Sequence, residues 1–197
     1  MAVATLSYLE WFEVPITFDH SDHPEHVPKA ERYPLILDPI VSPARLTKVM
    51  VDGGSSLNIL FAKTYDTIGL KRSDLQQSYS CFHRVISEAA TTPLGAITLE
   101  VTFGNEKNFR TKLIRFEVAD IDSAYQAILG QSAISKFMAI PHYPYLVLKM
   151  SGPKGAITLK GDVQQAYLIE QESLALADST VIAVESQVLK REVERGL

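Results

Sequence analysis

Val49-Met-Val-Asp-Gly-Gly-Ser-Ser-Leu-Asn-Ile-Leu60 is the stretch on which the reading of this chain turns. An apolar run ends in Asp52, two glycines follow, and a second apolar run opens at Leu57. Glycine has no Cβ, so Gly53 and Gly54 allow the backbone to fold sharply around the carboxylate before them. Their amides can then donate to it, and Ser55 offers a hydroxyl three residues on. Such bonds favour the ionised carboxylate and fix its direction. Asp52 is therefore a carboxylate held and aimed by a tight loop, which Gly53, Gly54 and Ser55 form.

The sequence on either side reads as short strands. Before the loop lie Leu35–Val41 and Leu46–Val51; after it, Ala62–Ile68 reads as a short helix that Gly69 ends as its C′ residue. The clearest strand is Ile97–Phe103, where Ile97, Leu99, Val101 and Phe103 alternate with Thr98, Glu100 and Thr102. Gly104-Asn105 then turns the chain. Leu113–Ala119 repeats the pattern, with Ile114, Phe116 and Val118 inward and Arg115 and Glu117 outward, which predicts a hairpin. Ala127-Ile-Leu-Gly130 leads into a second short helix over Ser132–Met138, stopped by Pro141. Tyr145–Met150 and Ala156–Lys160 complete the strands around the turn-rich Ser151–Gly155. Val14–Phe18 alternates too, but Pro15 limits it to an edge. Many short strands with one or two short helices define an all-β domain, closed or sandwiched.

Composition bounds what such a domain can do. Apolar residues make up 46% of the 197 and charged residues 21%, enough for one core. The net charge of −4 excludes bulk attraction to nucleic acid or an anionic membrane surface, and no apolar run is long enough to span a bilayer. Met1–Phe18 lacks the basic start of a signal peptide. The single cysteine, Cys81, forbids an internal disulfide, and the chain reads as soluble and cytoplasmic. The expected divisions are a peripheral segment at 1–32, the domain at 33–167 and an acidic tail at 168–197. That tail carries six acids (Glu170, Glu172, Asp178, Glu185, Glu192, Glu194) against three bases (Lys190, Arg191, Arg195); it reads as partly helical and outside the core.

Alone, an Asp-Gly pair marks only a turn. Here the Asp52 stretch is followed in order by Thr92-Pro-Leu-Gly95, Val101-Thr-Phe-Gly104, Phe109-Arg-Thr111, Phe116-Glu-Val-Ala119, Ala127-Ile-Leu-Gly130 and Pro141–Met150. Over residues 14–168 the chain resembles the retropepsin-like aspartic protease domain of plant Ty3/gypsy retrotransposon polyproteins. The resemblance implies a retropepsin-like closed β-barrel in which Asp52 is the catalytic residue, Gly53, Gly54 and Ser55 form the active-site loop, and Ile128, Leu129 and Gly130 support it. It places the substrate flap at Cys81–Gly95, and implies a peptide or polyprotein substrate cut by activated water. With one Asp motif per chain, the full site implies a homodimer. The chain departs from active retropepsins at Gly53, where they carry a Thr or Ser hydroxyl that braces the two subunits, although plant elements of this group often read Asp-Gly-Gly too. It departs again at Arg84 and Ser87-Glu88 in the flap, and at Gln131-Ser132. These departures define the alternative, a catalytically inactive barrel serving as a peptide-binding or structural module.

Other chemistries find little support. His20, His23 and His26 fall three apart, with Cys81 and His83 further on, but Pro24 breaks any helix that would align them, so no metal is expected. Ser55 and Ser56 sit in no Gly-x-Ser-x-Gly elbow, and Gly53-Gly54 is too short to cradle a phosphate. No cofactor is expected.

Overall fold

The computed structural model describes residues 15–24, 33–78 and 92–194, with side chains as far as residue 178. Eleven strands are present among them: β1 (Leu35–Leu37), β2 (Ile40–Val41), β3 (Ala44–Arg45), β4 (Val49–Val51), β5 (Ile59–Phe61), β6 (Gly95–Asn105), β7 (Asn108–Ala119), β8 (Ala127–Leu129), β9 (Ile140–His142), β10 (Val147–Gly152) and β11 (Gly155–Lys160). Three helices accompany them: α1 (Ala62–Thr67), α2 (Gln131–Phe137) and α3 (Val163–Glu194). The strands form an eight-stranded sheet in the order β1-β4-β8-β5-β7-β6-β2-β3 and a three-stranded sheet in the order β11-β10-β9.

That order forces the large sheet to curl. β1 and β2 stand six strand spacings apart, roughly 29 Å if the sheet were flat. Yet only Asp38 and Pro39 join them, and three Cα steps span at most about 11 Å. The sheet must bend round until its ends nearly meet. The result is the mostly β, half-barrel architecture that the retropepsin-like reading calls for.

Inside the curl lies the main core, which includes Leu35, Leu37, Val49, Val51, Val101, Phe103, Ile114, Phe116, Val118, Leu129 and Phe137. Ile97, Leu99, Val101 and Phe103 face it as their alternation predicts, and so do Ile114, Phe116 and Val118. A second cluster forms on the outer side, where Ile36 packs with Ala124, Ala166 and Ile169. β1 is therefore buried at all three residues. Ile169 falls in the stretch read as lying outside the core; its burial on Ile36 contributes roughly 1.5–3 kcal/mol and fixes the start of α3 to the sheet. No helix among the described residues is long and apolar enough to cross a membrane.

Several local expectations are corrected. Leu35–Val41 is two strands, because Pro39 has no N–H for a ladder and the chain crosses there between the ends of the sheet. The strand expected from Leu46 begins at Val49, because the Gln126 side-chain oxygen takes the amides of Thr47 (2.7 Å) and Lys48 (2.9 Å). The hairpin turns two residues later than Gly104-Asn105, at Glu106-Lys107, where Asn105 Oδ1 accepts from the amides of Lys107 and Asn108 at 2.9 and 3.0 Å. Glu117 does not face solvent: it is 5% exposed, where β5 joins the edge of β7, and Arg115 Nε lies 3.4 Å from its Oε1. α2 stops at Phe137, with Met138 in the left-handed conformation (φ 49°), and Pro141 pairs with Leu148 in β9. Tyr145 lies in a 3-10 turn before β10. Residues 15–19 form no strand, and Val14 lies outside the described residues. Gly69 does follow α1 with φ 79°, as a C′ residue should.

Residues 15–24 are held to the small sheet through a buried ion pair. Lys149 Nζ lies 2.7 Å from Asp22 Oδ2, donates to the Thr17 carbonyl at 2.8 Å, and sits 5.0 Å above the Phe18 ring. The Lys149 ammonium, helped by the Asp19 amide, holds the Asp22 carboxyl below its ordinary value of 3.8. A depressed folded-state pKa contributes stability above the unfolded value and loses it as pH falls through the folded one. Protection of the residue 17–23 amides, the ratio of intrinsic to observed exchange rate, is expected to be the same at pH 5 as at pH 7. It should drop below pH 3.8, ahead of that of β6, in the native chain but not in Asp22→Asn. An equal loss of protection in both proteins would show that the clasp does not depend on this carboxylate.

Candidate active site

Asp52 leaves the end of β4 at the point where that strand runs parallel to β8, with Met50 opposite Ile128 and Val51 opposite Leu129. The Asp52 amide continues the ladder by donating to the Leu129 carbonyl at 2.9 Å. β8 pairs on its other side with β5, Ile59 opposite Ile128. The strand carrying Ile128 and Leu129 thus lies between the strand entering the loop and the strand leaving it. Asp52 and Gly130 are brought together across 78 positions of sequence, as the reading of the two blocks anticipates.

Within the loop the Gly54 amide donates to Asp52 Oδ1 at 2.9 Å, and the Ser55 amide to the Asp52 carbonyl at 3.2 Å. The first of these is the amide–carboxylate bond expected from the sequence. The Ser55 hydroxyl turns away from Asp52, donating to the Leu57 carbonyl at 2.8 Å and accepting from the Leu57 amide at 3.3 Å. Ser55 thus shapes the loop and leaves the half-buried carboxylate to other partners.

Gly130 packs directly under the loop. A Cβ there would lie 2.3 Å from the Leu57 carbonyl oxygen and 2.5 Å from that of Ser55. The next amide, of Gln131, donates to the Ser55 carbonyl at 2.7 Å. Gly130 also opens α2, the helix the resemblance expects after this block.

Two residues of the site were not singled out from the sequence. Asn58 is 6% exposed and ties three elements together. Its Oδ1 accepts from the Gly130 amide at 2.9 Å; its Nδ2 donates to the Arg115 carbonyl and to Ser132 Oγ, each at 2.9 Å. The signal for it was present: a lone polar residue inside the apolar run Leu57–Phe61 must find partners when buried. Tyr143 is the other. Its hydroxyl accepts from the Gly53 amide at 2.7 Å, over 90 positions of sequence. No local pattern announces such a contact.

The flap expected at Cys81–Gly95 falls mostly on residues 79–91, outside the described residues. Of its end, Leu94 donates its amide to the Val118 carbonyl at 2.9 Å. Among the described residues no three His, Cys, Asp or Glu side chains gather as a metal site; His26, Cys81 and His83 lie outside them.

Solved structures similar in shape include the retroviral protease-like domain of Ddi1 from Leishmania major. That match has 15% identity and a TM-score of 0.48, over 66% of this chain and 93% of that one. A retropepsin-like aspartic protease from Rickettsia conorii matches at 21% identity and a TM-score of 0.41, over 62% and 79%. EIAV protease complexed with the inhibitor HBY-793 matches at 16% identity and a TM-score of 0.40, over 64% and 99%. No protein-family model matches the chain, and no curated protein is significantly similar to it.

Proposed function

We propose that the chain is the aspartic endopeptidase domain of a retrotransposon polyprotein of the plant Ty3/gypsy kind, acting as a homodimer on polyprotein segments. In this reading residues 33–167 are the retropepsin-like domain, 1–32 a peripheral segment and 168–197 an acidic tail, in a cytoplasmic protein. The observation that carries it is the half-buried Asp52 carboxylate, aimed by the Gly54 amide and seated against β8 and Gly130. Two such carboxylates face to face cannot both ionise, so they share one proton. The ionised one takes a proton from a bound water while the protonated one donates toward the scissile carbonyl. Each chain supplies one Asp52, which is why the site needs two copies.

The test joins assembly to activity. Sedimentation should find a dimer at the concentrations where a polyprotein peptide is cut near pH 5, and pepstatin should stop the cutting. Dilution below the dimer's dissociation constant should lower activity faster than in proportion to protein. A strict monomer that cuts no peptide would instead assign the chain to the inactive barrel.

A further inference from the structure

We propose that Tyr143 is the positioning residue of the Asp52 loop, its hydroxyl anchoring the amide of Gly53 and occupying the space that a side chain at position 53 would need. Gly54 and Ser55 direct their amides back to Asp52, but the Gly53 amide leaves the loop and meets Tyr143 at 2.7 Å. A Cβ on Gly53 would lie 2.9 Å from the Tyr143 hydroxyl oxygen but 4.0 Å from the ring carbon bearing it. Only the hydroxyl is in the way. Gly53 is not among the glycines with positive φ, so its backbone does not itself demand glycine. The phenol does.

The turn that carries Tyr143 is firmly placed, while Tyr143 itself is 37% exposed. It opens the 3-10 turn Tyr143–Tyr145, where the His142 ring nitrogen Nδ1 accepts from the Tyr145 amide at 3.1 Å. The His142 and Tyr145 rings stack at 3.9 Å, and Phe18 and His23 flank them at 5.1 Å each. Leu146, buried and left-handed, closes the turn by donating its amide to the Tyr143 carbonyl at 3.0 Å. A phenol on such a base holds one end of the loop at a fixed distance from β9 and β10. The residue after Asp52 is thereby fixed, and with it the direction of the carboxylate.

The geometry predicts a reversal of sign between two substitutions. Gly53→Ser in the native chain must displace the phenol and so break its bond to the residue 53 amide. In Tyr143→Phe the space is free, and the same serine supplies a hydroxyl near the lost one. Tyr143→Phe alone should speed exchange of the Gly53 amide about five- to tenfold, the loss of one hydrogen bond, with the fold intact. Gly53→Ser should lower thermal stability in the native background and leave it unchanged or raise it in Tyr143→Phe. The kinetic arm rests on the proposed peptidase reading: kcat should fall about tenfold in Tyr143→Phe with KM within about twofold, and recover in the double variant. Unchanged Gly53 exchange in Tyr143→Phe, or two substitutions whose stability effects simply add, would overturn the assignment of Tyr143. Failure to cut any peptide would sink the peptidase reading alone, since exchange and stability coupling are read without substrate.

Discussion

On the proposed peptidase reading, Asp52→Asn is expected to lower peptide cleavage by about a thousandfold or more, within the 10²–10⁴ range that a positioned acid–base group supplies. The asparagine keeps an Oδ1 that can accept from the Gly54 amide, the bond now made at 2.9 Å. The fold should therefore survive, with stability within about 1 kcal/mol of the native chain. What the proposed dimer would lose is the ability of its two facing groups to share a proton. Mixing sharpens the test. If native and Asp52→Asn chains are combined in equal amounts and allowed to exchange, about one quarter of the pairs in a symmetric dimer are native on both sides. Activity should fall to that fraction of its value in an all-native sample at the same total concentration. A fall only to one half would mean that each chain works alone. Cleavage that persists in Asp52→Asn would remove Asp52 from the chemistry.

The parts of this fold that the sequence revealed are those in which one face of a strand meets the core and the other meets water. β6 and its partner β7 are the clear case, with apolar and polar residues alternating over most of their length. The signal fades where both faces are covered. β1 reads Leu-Ile-Leu and is buried throughout, and Glu117 breaks the expected outward set because β5 lies along that edge. It fades again where a side chain replaces a ladder, as Gln126 does for Thr47 and Lys48.

The site divides in the same way. The bend at Asp52 and its glycines is a local property and was legible as one. The supports of the loop come from a distance: Asn58 reaches Gly130 and Arg115, and Tyr143 reaches Gly53. Each joins segments 57 to 90 residues apart, and such pairings are set by tertiary packing rather than by periodicity.

Gly130→Ala should be among the most destabilising single-methyl changes available to this chain. The new Cβ would stand 2.3 and 2.5 Å from two carbonyl oxygens and 3.0 Å from a carbonyl carbon. All three atoms belong to the backbone of Ser55–Leu57, so no flexible side chain can swing away. Overpacking against movable neighbours costs about 1–3 kcal/mol. Here the loop itself must retreat, straining the bonds from Gln131 to the Ser55 carbonyl and from Gly130 to Asn58. A loss of about 3–5 kcal/mol is expected, in the range reserved for severe core lesions. Gly69→Ala supplies the contrast. Nothing lies within 4 Å of a Cβ at Gly69, and the cost there is the left-handed backbone alone (φ 79°), about 1–2 kcal/mol. Denaturant titration of the two variants side by side separates the effects. If Gly130→Ala proved no worse than Gly69→Ala, the Ser55–Leu57 segment would have to be free to move away from β8. The rigid seat proposed for Asp52 would then be lost with it.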